Sequence, residues 1–130
     1  MPSRAEDWIR QADRDLGHAR DAFTRGTFEW AAFAAQQAAE KAVKGLYQSL
    51  GADARGHSVT QLLGQLPVAH RAEDALIERA KELDKHYIGP RYPNSYPGGA
   101  PMDFYTQAEA ERAIEAAERI IAHCKRHLVR

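Results

Sequence analysis

One cysteine, Cys124, stands in 130 residues, so neither an internal disulfide nor a cysteine-rich metal site is available. No apolar run approaches the roughly 20 residues that span a bilayer. The first residues carry Arg4, Glu6, Asp7 and Arg10 where a signal peptide needs an apolar stretch. Net charge is missing too, because 18 Lys+Arg balance 18 Asp+Glu. The balance is local: seven of each sign in residues 1–50, five basic against six acidic in 51–88, six against five in 89–130. A dedicated DNA-binding domain is usually visibly basic, which argues against that class but leaves room for a small phosphate or RNA site. Gly98-Gly99 lacks both the helix start and the Lys-Ser/Thr of a phosphate-binding loop, and no serine sits in a nucleophile elbow. The expectation is one soluble, cytoplasmic domain over residues 1–130, with 44% hydrophobic residues to build its core.

What is present reads as helix. Short β-branched alternating runs are absent, and apolar residues step by three or four. Trp8, Ala12, Leu16, Ala19 and Phe23 form one such stripe. A second segment, about Thr27 to Leu50, holds Ala31, Ala32, Ala34, Ala35, Ala38, Ala39 and Ala42, small side chains that let a neighbouring helix come close. A short helix follows Ser58 through Leu62, Leu63 and Leu66; a fourth aligns Leu76, Ala80, Leu83 and Tyr87; a fifth aligns Ala110, Ile114, Ala117, Ile121, Cys124 and Leu128. Ser3 with Glu6, Ser58 with Gln61 and Thr106 with Glu109 have capping-box spacing. Gly51, Pro67 and Pro90 are stop signals. The pattern predicts an all-α, up-and-down bundle of four long helices and one short one. The last helix places Glu109, Glu111, Glu115 and Glu118 before Arg119, Lys125, Arg126 and Arg130, which complements the helix dipole and sets Glu115 four residues from Arg119.

Residues 89–105, GPRYPNSYPGGAPMDFY, break the pattern. They hold four of the six prolines, three of the nine glycines and three of the five tyrosines. Long loops without secondary structure are uncommon in compact domains, and tyrosines are of little use to a solvated linker. This Pro/Tyr/Gly-rich loop is therefore expected to pack across the bundle, with Arg91 and Tyr92 at its ordered end.

Several residues bear on chemistry. Cys124 lies on an apolar stripe, as a buried inert thiol would. His123 and His127 are one turn apart, but Lys125 and Arg126 would repel a cation and no third ligand is evident, so no metal site is expected and a surface helix end is the preferred reading. Arg79 and His86 are separated by six residues, AKELDK, close to two helical turns and so able to share a face. An arginine can hold a phosphodiester while a histidine moves a proton, and in RNA the 2′-hydroxyl could be the nucleophile. Equally, both can be solvated, with Glu82 offering Arg79 an ion-pair partner. Lys41 and Lys44, beside Gln36, Gln37 and Glu40, could line a groove, although solvation is the ordinary fate of a lysine. His57, just before the Ser58 cap, could position its loop or contact phosphate, and the structural role is the preferred reading. Trp30 and Phe33 lie away from Ala31, Ala35 and Ala42, a surplus of apolar surface of the kind that marks an interface.

Taken together, these strings resemble one family, the HEPN domain (higher eukaryotes and prokaryotes nucleotide-binding), in its small stand-alone prokaryotic form. The resemblance rests on Trp8 with Ala12 and Asp15-Leu16; on Ala34-Ala35-Gln36-Gln37-Ala38-Ala39-Glu40-Lys41-Ala42 with Lys44; on His57-Ser58 with Leu62-Leu63; and on Leu83-Asp84, Tyr87 and Arg91-Tyr92-Pro93. It implies a helical bundle, usually a homodimer, with no cofactor. It implies one of two activities. Such proteins often accompany a minimal nucleotidyltransferase in a toxin–antitoxin-like pair, and many are metal-independent ribonucleases whose Arg and His, separated by four to six residues, meet across the dimer. Arg79 and His86 fit that count, but Ala80 replaces the usual polar residue after the arginine, and LD-x-x-Y-x-x-x-RYP resembles the branch without the active motif. Nucleotide or RNA binding needs only a cation and a stacking platform, which Arg91, Tyr92 and Tyr87 with Lys41 and Lys44 could supply. In the competing reading Pro93 fixes the loop and Arg91 salt-bridges Asp84. Three functions follow: a nucleotide- or RNA-binding module working with a nucleotidyltransferase, an endoribonuclease, or a dimerisation scaffold without ligand.

Overall fold

A computed structural model describes residues 3–129, and among these every regular element is helical. The order is α1 Ala5–Arg25, α2 Phe28–Ser49, α3 Val59–Gly64, α4 Asp74–Asp84, α5 Pro101–Phe104 and α6 Gln107–His127, with single 3-10 turns at Val68–His70, Gly89–Arg91 and Pro93–Ser95. The expected four long helices and short third helix are present. No helix is long and apolar enough to cross a membrane among the described residues.

Helix α2 is the axis, with α1 and α6 along its length and α3, α4 and the turn at Gly89–Arg91 against the rest. Its alanines explain the arrangement. Ala31, Ala32, Ala35, Ala38, Ala39 and Ala42 are completely buried, on more than one side of the helix, and a stripe of that width admits neighbours all round. Gly45 extends it: a Cβ there would lie 3.1 Å from Trp8 Cβ and 3.2 Å from Ile9 Cγ1. Bulk comes from Leu46, Leu63, Leu66, Leu83 and Ile120, all fully buried. On α1 the core stripe is Ala5, Ile9, Ala12, Leu16, Ala19 and Ala22, while Trp8 and Phe23, expected within it, are only half-buried at its edge. Cys124 is buried as expected, and desolvation pushes its thiol up to about 12, where it is inert.

The caps sort by geometry. Thr106 and Glu109 form the reciprocal box, each side chain taking the other's backbone N–H. Ser58 Oγ accepts from Gln61 N–H at 3.1 Å. Ser3 Oγ instead accepts from Ala5 N–H at 3.0 Å, two residues on rather than three, and Arg4 is the N-cap.

The loop at 89–105 packs across α2 and has structure of its own, including α5. Pro90 and Pro101 are buried, Tyr96 stacks on Phe104 with ring centres 4.6 Å apart, and Tyr105 reaches His86. Gly99 makes the fold-back possible: its φ is +77° and a Cβ would meet the Phe104 ring at 2.9 Å.

Candidate functional site

The polar string of α2 is drawn into the fold rather than left to water. Gln36 is wholly buried and Glu40 is 5% exposed. Gln36 Nε2 donates to Glu40 Oε1 at 3.1 Å and to the His57 carbonyl at 3.2 Å, while Gln36 Oε1 accepts from Gln37 Nε2 at 2.8 Å. The Glu40 carboxylate also meets Lys44 Nζ at 3.1 Å and His57 Nδ1 at 3.1 and 3.3 Å. Lys44 is thereby a half-buried ion-pair partner with a side chain only 14% exposed, and Lys41 is paired with Asp15 of α1. Neither lysine has the ordinary solvated environment expected of it. The cause is tertiary, because Val59–Gly64 and the His57 loop close over this side of α2.

His57 connects this network to a second layer. Its ring stacks on Tyr87 at 4.4 Å and 16°. Tyr87 lies 6.4 Å from Phe33, and the Arg91 guanidinium carbon sits 4.5 Å from the Phe33 ring centre, 4.7 Å from Tyr87 and 5.3 Å from Tyr92. Arg91 Nε donates to the Tyr87 carbonyl at 2.9 Å. Its terminal nitrogens have no partner among the described residues. Tyr92 is exposed beside it. Tyr87, Arg91 and Tyr92 therefore form one platform with Phe33 and His57, and the Glu40–Lys44 pair lies immediately below. Next to it, Asp15, Trp30, Phe33, Gln37 and Lys41 border an open cavity of about 250 Å³.

The alternative in which Arg91 pairs with Asp84 is not what the fold builds. Asp84, the last residue of α4, accepts from Ser58 Oγ at 3.0 Å, Val59 N–H at 2.7 Å and Thr60 N–H at 3.1 Å. Its carboxylate caps α3, satisfying amides that would otherwise be orphaned in the first turn.

Arg79 and His86 end in different surroundings. Helix α4 stops at Asp84, so His86 is not on the same helix as Arg79. Beyond that point Lys85, His86 and Tyr87 N–H groups bond three residues back, to Glu82, Leu83 and Asp84, a tightening that removes the two-turn alignment. Arg79 bonds Glu115 of α6 at 3.1 Å rather than Glu82, which is held by Arg112. His86 Nδ1 lies 2.8 Å from the Tyr105 hydroxyl, and burial lowers its pKa. The same burial, with Tyr96 and Glu109 nearby, raises that of Tyr105. His86 borders a cavity of about 400 Å³ with Glu82, Lys85, Glu109 and Arg112, and Arg79 is not among its walls.

The histidines of α6 also depart from expectation. His123 is buried and its Nε2 is 2.8 Å from the His70 carbonyl, while His70 and His127 Nδ1 atoms are 3.2 Å apart. His70 joins the pair from the Val68–His70 turn, and no spacing rule links residues 53 apart. With Nε2 of His123 committed to a carbonyl, the trio is a hydrogen-bonded cluster; no group of three or more metal-ligating side chains suited to an ion occurs among the described residues. Glu40, Asp15 and Phe33 are members of the α2 site to which the sequence alone assigns no chemistry. Their signal is the glutamine–glutamate–lysine string itself, set in a helix otherwise made of alanine.

This chain is similar to several known proteins. The model of the HEPN domain family matches residues 5–127. The crystal structure of TT1696 from Thermus thermophilus is 45% identical, covers 98% of this chain and 100% of its own, and superposes with a TM-score of 0.95. That of ST0689, an archaeal HEPN homologue, is 44% identical over 98% of this chain and 99% of its own, with a TM-score of 0.80. A curated relative from Methanocaldococcus jannaschii, "Putative toxin MJ1304", is 29% identical over 90% of this chain and 83% of its own length.

Proposed function

The chain belongs to the HEPN domain family, and from that premise we propose that it is a toxin-like HEPN protein that binds a nucleotide or RNA on the Tyr87–Arg91–Tyr92 platform. In this reading it acts as a homodimer with a minimal nucleotidyltransferase partner, as the family resemblance implies. The toxin-type name of the Methanocaldococcus relative supports the same direction. The observation that carries the binding role is Arg91: a guanidinium ordered by three aromatic rings and one carbonyl, with its terminal nitrogens open. Ordering the cation in advance lowers the entropic cost of gripping a phosphate. Exposed Tyr92 offers a base a stacking surface, and because Lys41 and Lys44 are paired with Asp15 and Glu40, the charge offered to a ligand here is that of Arg91. Trp30, 48% exposed at the mouth of the neighbouring cavity, is the apolar residue proposed for the dimer contact.

The test is binding of a labelled single-stranded RNA and of ATP to the purified protein, by fluorescence anisotropy and calorimetry. Arg91→Ala is expected to weaken binding at least tenfold, about 1.4 kcal/mol or more, the scale of one stacked, charge-assisted contact. Arg91→Lys is expected not to restore it, because an ammonium cannot reproduce the planar stack. Equal affinities for Arg91→Ala and the parent protein would overturn the assignment. Light scattering that finds only monomer at micromolar concentration would remove the dimer.

A further inference from the structure

If RNA lies on the platform, the nearest group able to move a proton is not His86. His86 Nδ1 is engaged with the Tyr105 hydroxyl beside a different cavity. His57 is placed otherwise. Its side chain is 54% exposed while the Glu40 carboxylate behind it is 7% exposed. Its Nδ1 faces both Glu40 oxygens, and its Nε2 has no partner among the described residues. An N–H donated from Nδ1 to a buried carboxylate fixes the imidazole tautomer and leaves the free lone pair on Nε2. Lys44 and Gln36 hold that carboxylate from its other sides, so it cannot swing away from the ring. His57 and the Arg91 guanidinium both lie within 5 Å of the centre of the Tyr87 ring.

We infer that His57 is the proton-transferring catalytic residue of an RNA-cleaving centre on this face, with Glu40 as its positioning residue. The inference rests on the RNA-binding reading above and extends it to a reaction. In that reaction His57 Nε2 takes the proton of a ribose 2′-hydroxyl, and the 2′-oxygen attacks the adjacent phosphorus, whose oxygens are held by Arg91. The bond from phosphorus to the 5′-oxygen breaks, and that oxygen takes a proton from water. The products are a 2′,3′-cyclic phosphate and a 5′-hydroxyl end, with no change in oxidation state. The imidazolium returns its proton to solvent.

The experiment incubates the full-length protein with a 5′-labelled single-stranded RNA of mixed sequence, and separately with total tRNA, in EDTA. Anisotropy is recorded on the same samples, and a 2′-O-methyl RNA is the chemical control. Cleavage leaving cyclic phosphate ends, and none of the 2′-O-methyl strand, is the expected result for the parent protein. His57→Asn keeps a donor for Glu40 and is expected to cleave at least a hundredfold more slowly with unchanged melting temperature and RNA affinity, the usual reach of general acid–base catalysis. His57→Ala is expected to recover activity in added imidazole, which a purely structural histidine would not allow. Glu40→Gln is expected to lower kcat and leave KM unaltered, and His86→Ala to cleave as the parent does. RNA that binds but is not cut by the parent protein overturns this inference and leaves the binding reading intact, whereas RNA that does not bind removes both. Full activity in His57→Asn, or loss in His57→Ala without imidazole recovery, returns His57 to a structural role.

Discussion

Replacing Asp84 tests the arrangement of the whole region. Its carboxylate receives one hydroxyl and two backbone N–H groups from residues 58–60. Asp84→Ala leaves the Val59 and Thr60 amides without a protein acceptor at the start of a six-residue helix. A capping side chain is worth about 1 kcal/mol, a second amide bonded to a charged acceptor adds about 1 kcal/mol, and loss of negative charge at the helix N-terminus adds about 0.5 kcal/mol. Ser58 Oγ continues to cap Gln61 and Thr60 is only partly buried, although Val59 is wholly so, and the expected loss is about 2 kcal/mol. For a chain between the usual size classes that is a fall in Tm of about 6–12 °C. Urea titration followed by circular dichroism should show the midpoint moving with the slope unchanged. A double-mutant cycle then separates the two accounts of this carboxylate. Ser58→Ala with Asp84→Ala should couple by at least about 0.5 kcal/mol, and Arg91→Ala with Asp84→Ala should be additive. A loss below about 0.5 kcal/mol, or coupling to Arg91 in place of Ser58, would refute the cap.

Two further outcomes follow from the core and from His86. Gly45→Ala places a methyl against Trp8 and Ile9 where α1 crosses α2; it should cost about 1–3 kcal/mol in urea denaturation despite the higher helix propensity of alanine. His86 has a folded pKa depressed by burial, which outweighs the pull of Glu109 and Glu82 and is helped slightly by Lys85. The folded state therefore binds fewer protons than the unfolded state just below the ordinary value of 6.5. Its contribution is complete above that value and is lost as pH falls from there through the folded pKa, so Tm should drop from about pH 7 to about pH 5 and the drop should shrink in His86→Gln. His127, lowered chiefly by desolvation and then by His123 and His70, adds the same sign and is kept in both proteins. An equal drop in the two would remove His86 from the acid response.

Local rules make the helices legible, and the functional face resists them for a physical reason. Periodicity locates α1, α2, α4 and α6, and Thr106 with Glu109 and Ser58 with Gln61 mark real caps. These features depend on residues three or four apart, which a sequence displays directly. The apolar spacing that carries α4 on to Tyr87 misleads, because it persists after the hydrogen bonding has changed, from Lys85 onward, to three-residue turns ahead of the Gly89-Pro90 step. Proximity along the chain offers Arg91 as the partner of Asp84, while its actual partners are about 25 residues upstream. The Gln36–Lys44 string reads as a solvated face until α3 and the His57 loop are laid over it, and no propensity encodes that contact.

The composition of that covered face bears on why it is there. A buried carboxylate with a lysine, a glutamine and a histidine around it recovers by pairing roughly what it loses in desolvation, and apolar residues of the same volume often serve stability as well or better. The alanines flanking Gln36 and Glu40 show that α2 packs densely without polar groups. What the network adds is direction: Gln36 grips the His57 backbone, Glu40 grips its ring, and the ring is laid flat on Tyr87, which in turn supports Arg91. Side chains from α2 and from two separate loops are thus locked together at the surface, with the Arg91 cation and the His57 ring both set against Tyr87. Under the proposed function this is the property a phosphodiester site requires, since preorganised groups need no rearrangement when the charged ligand arrives.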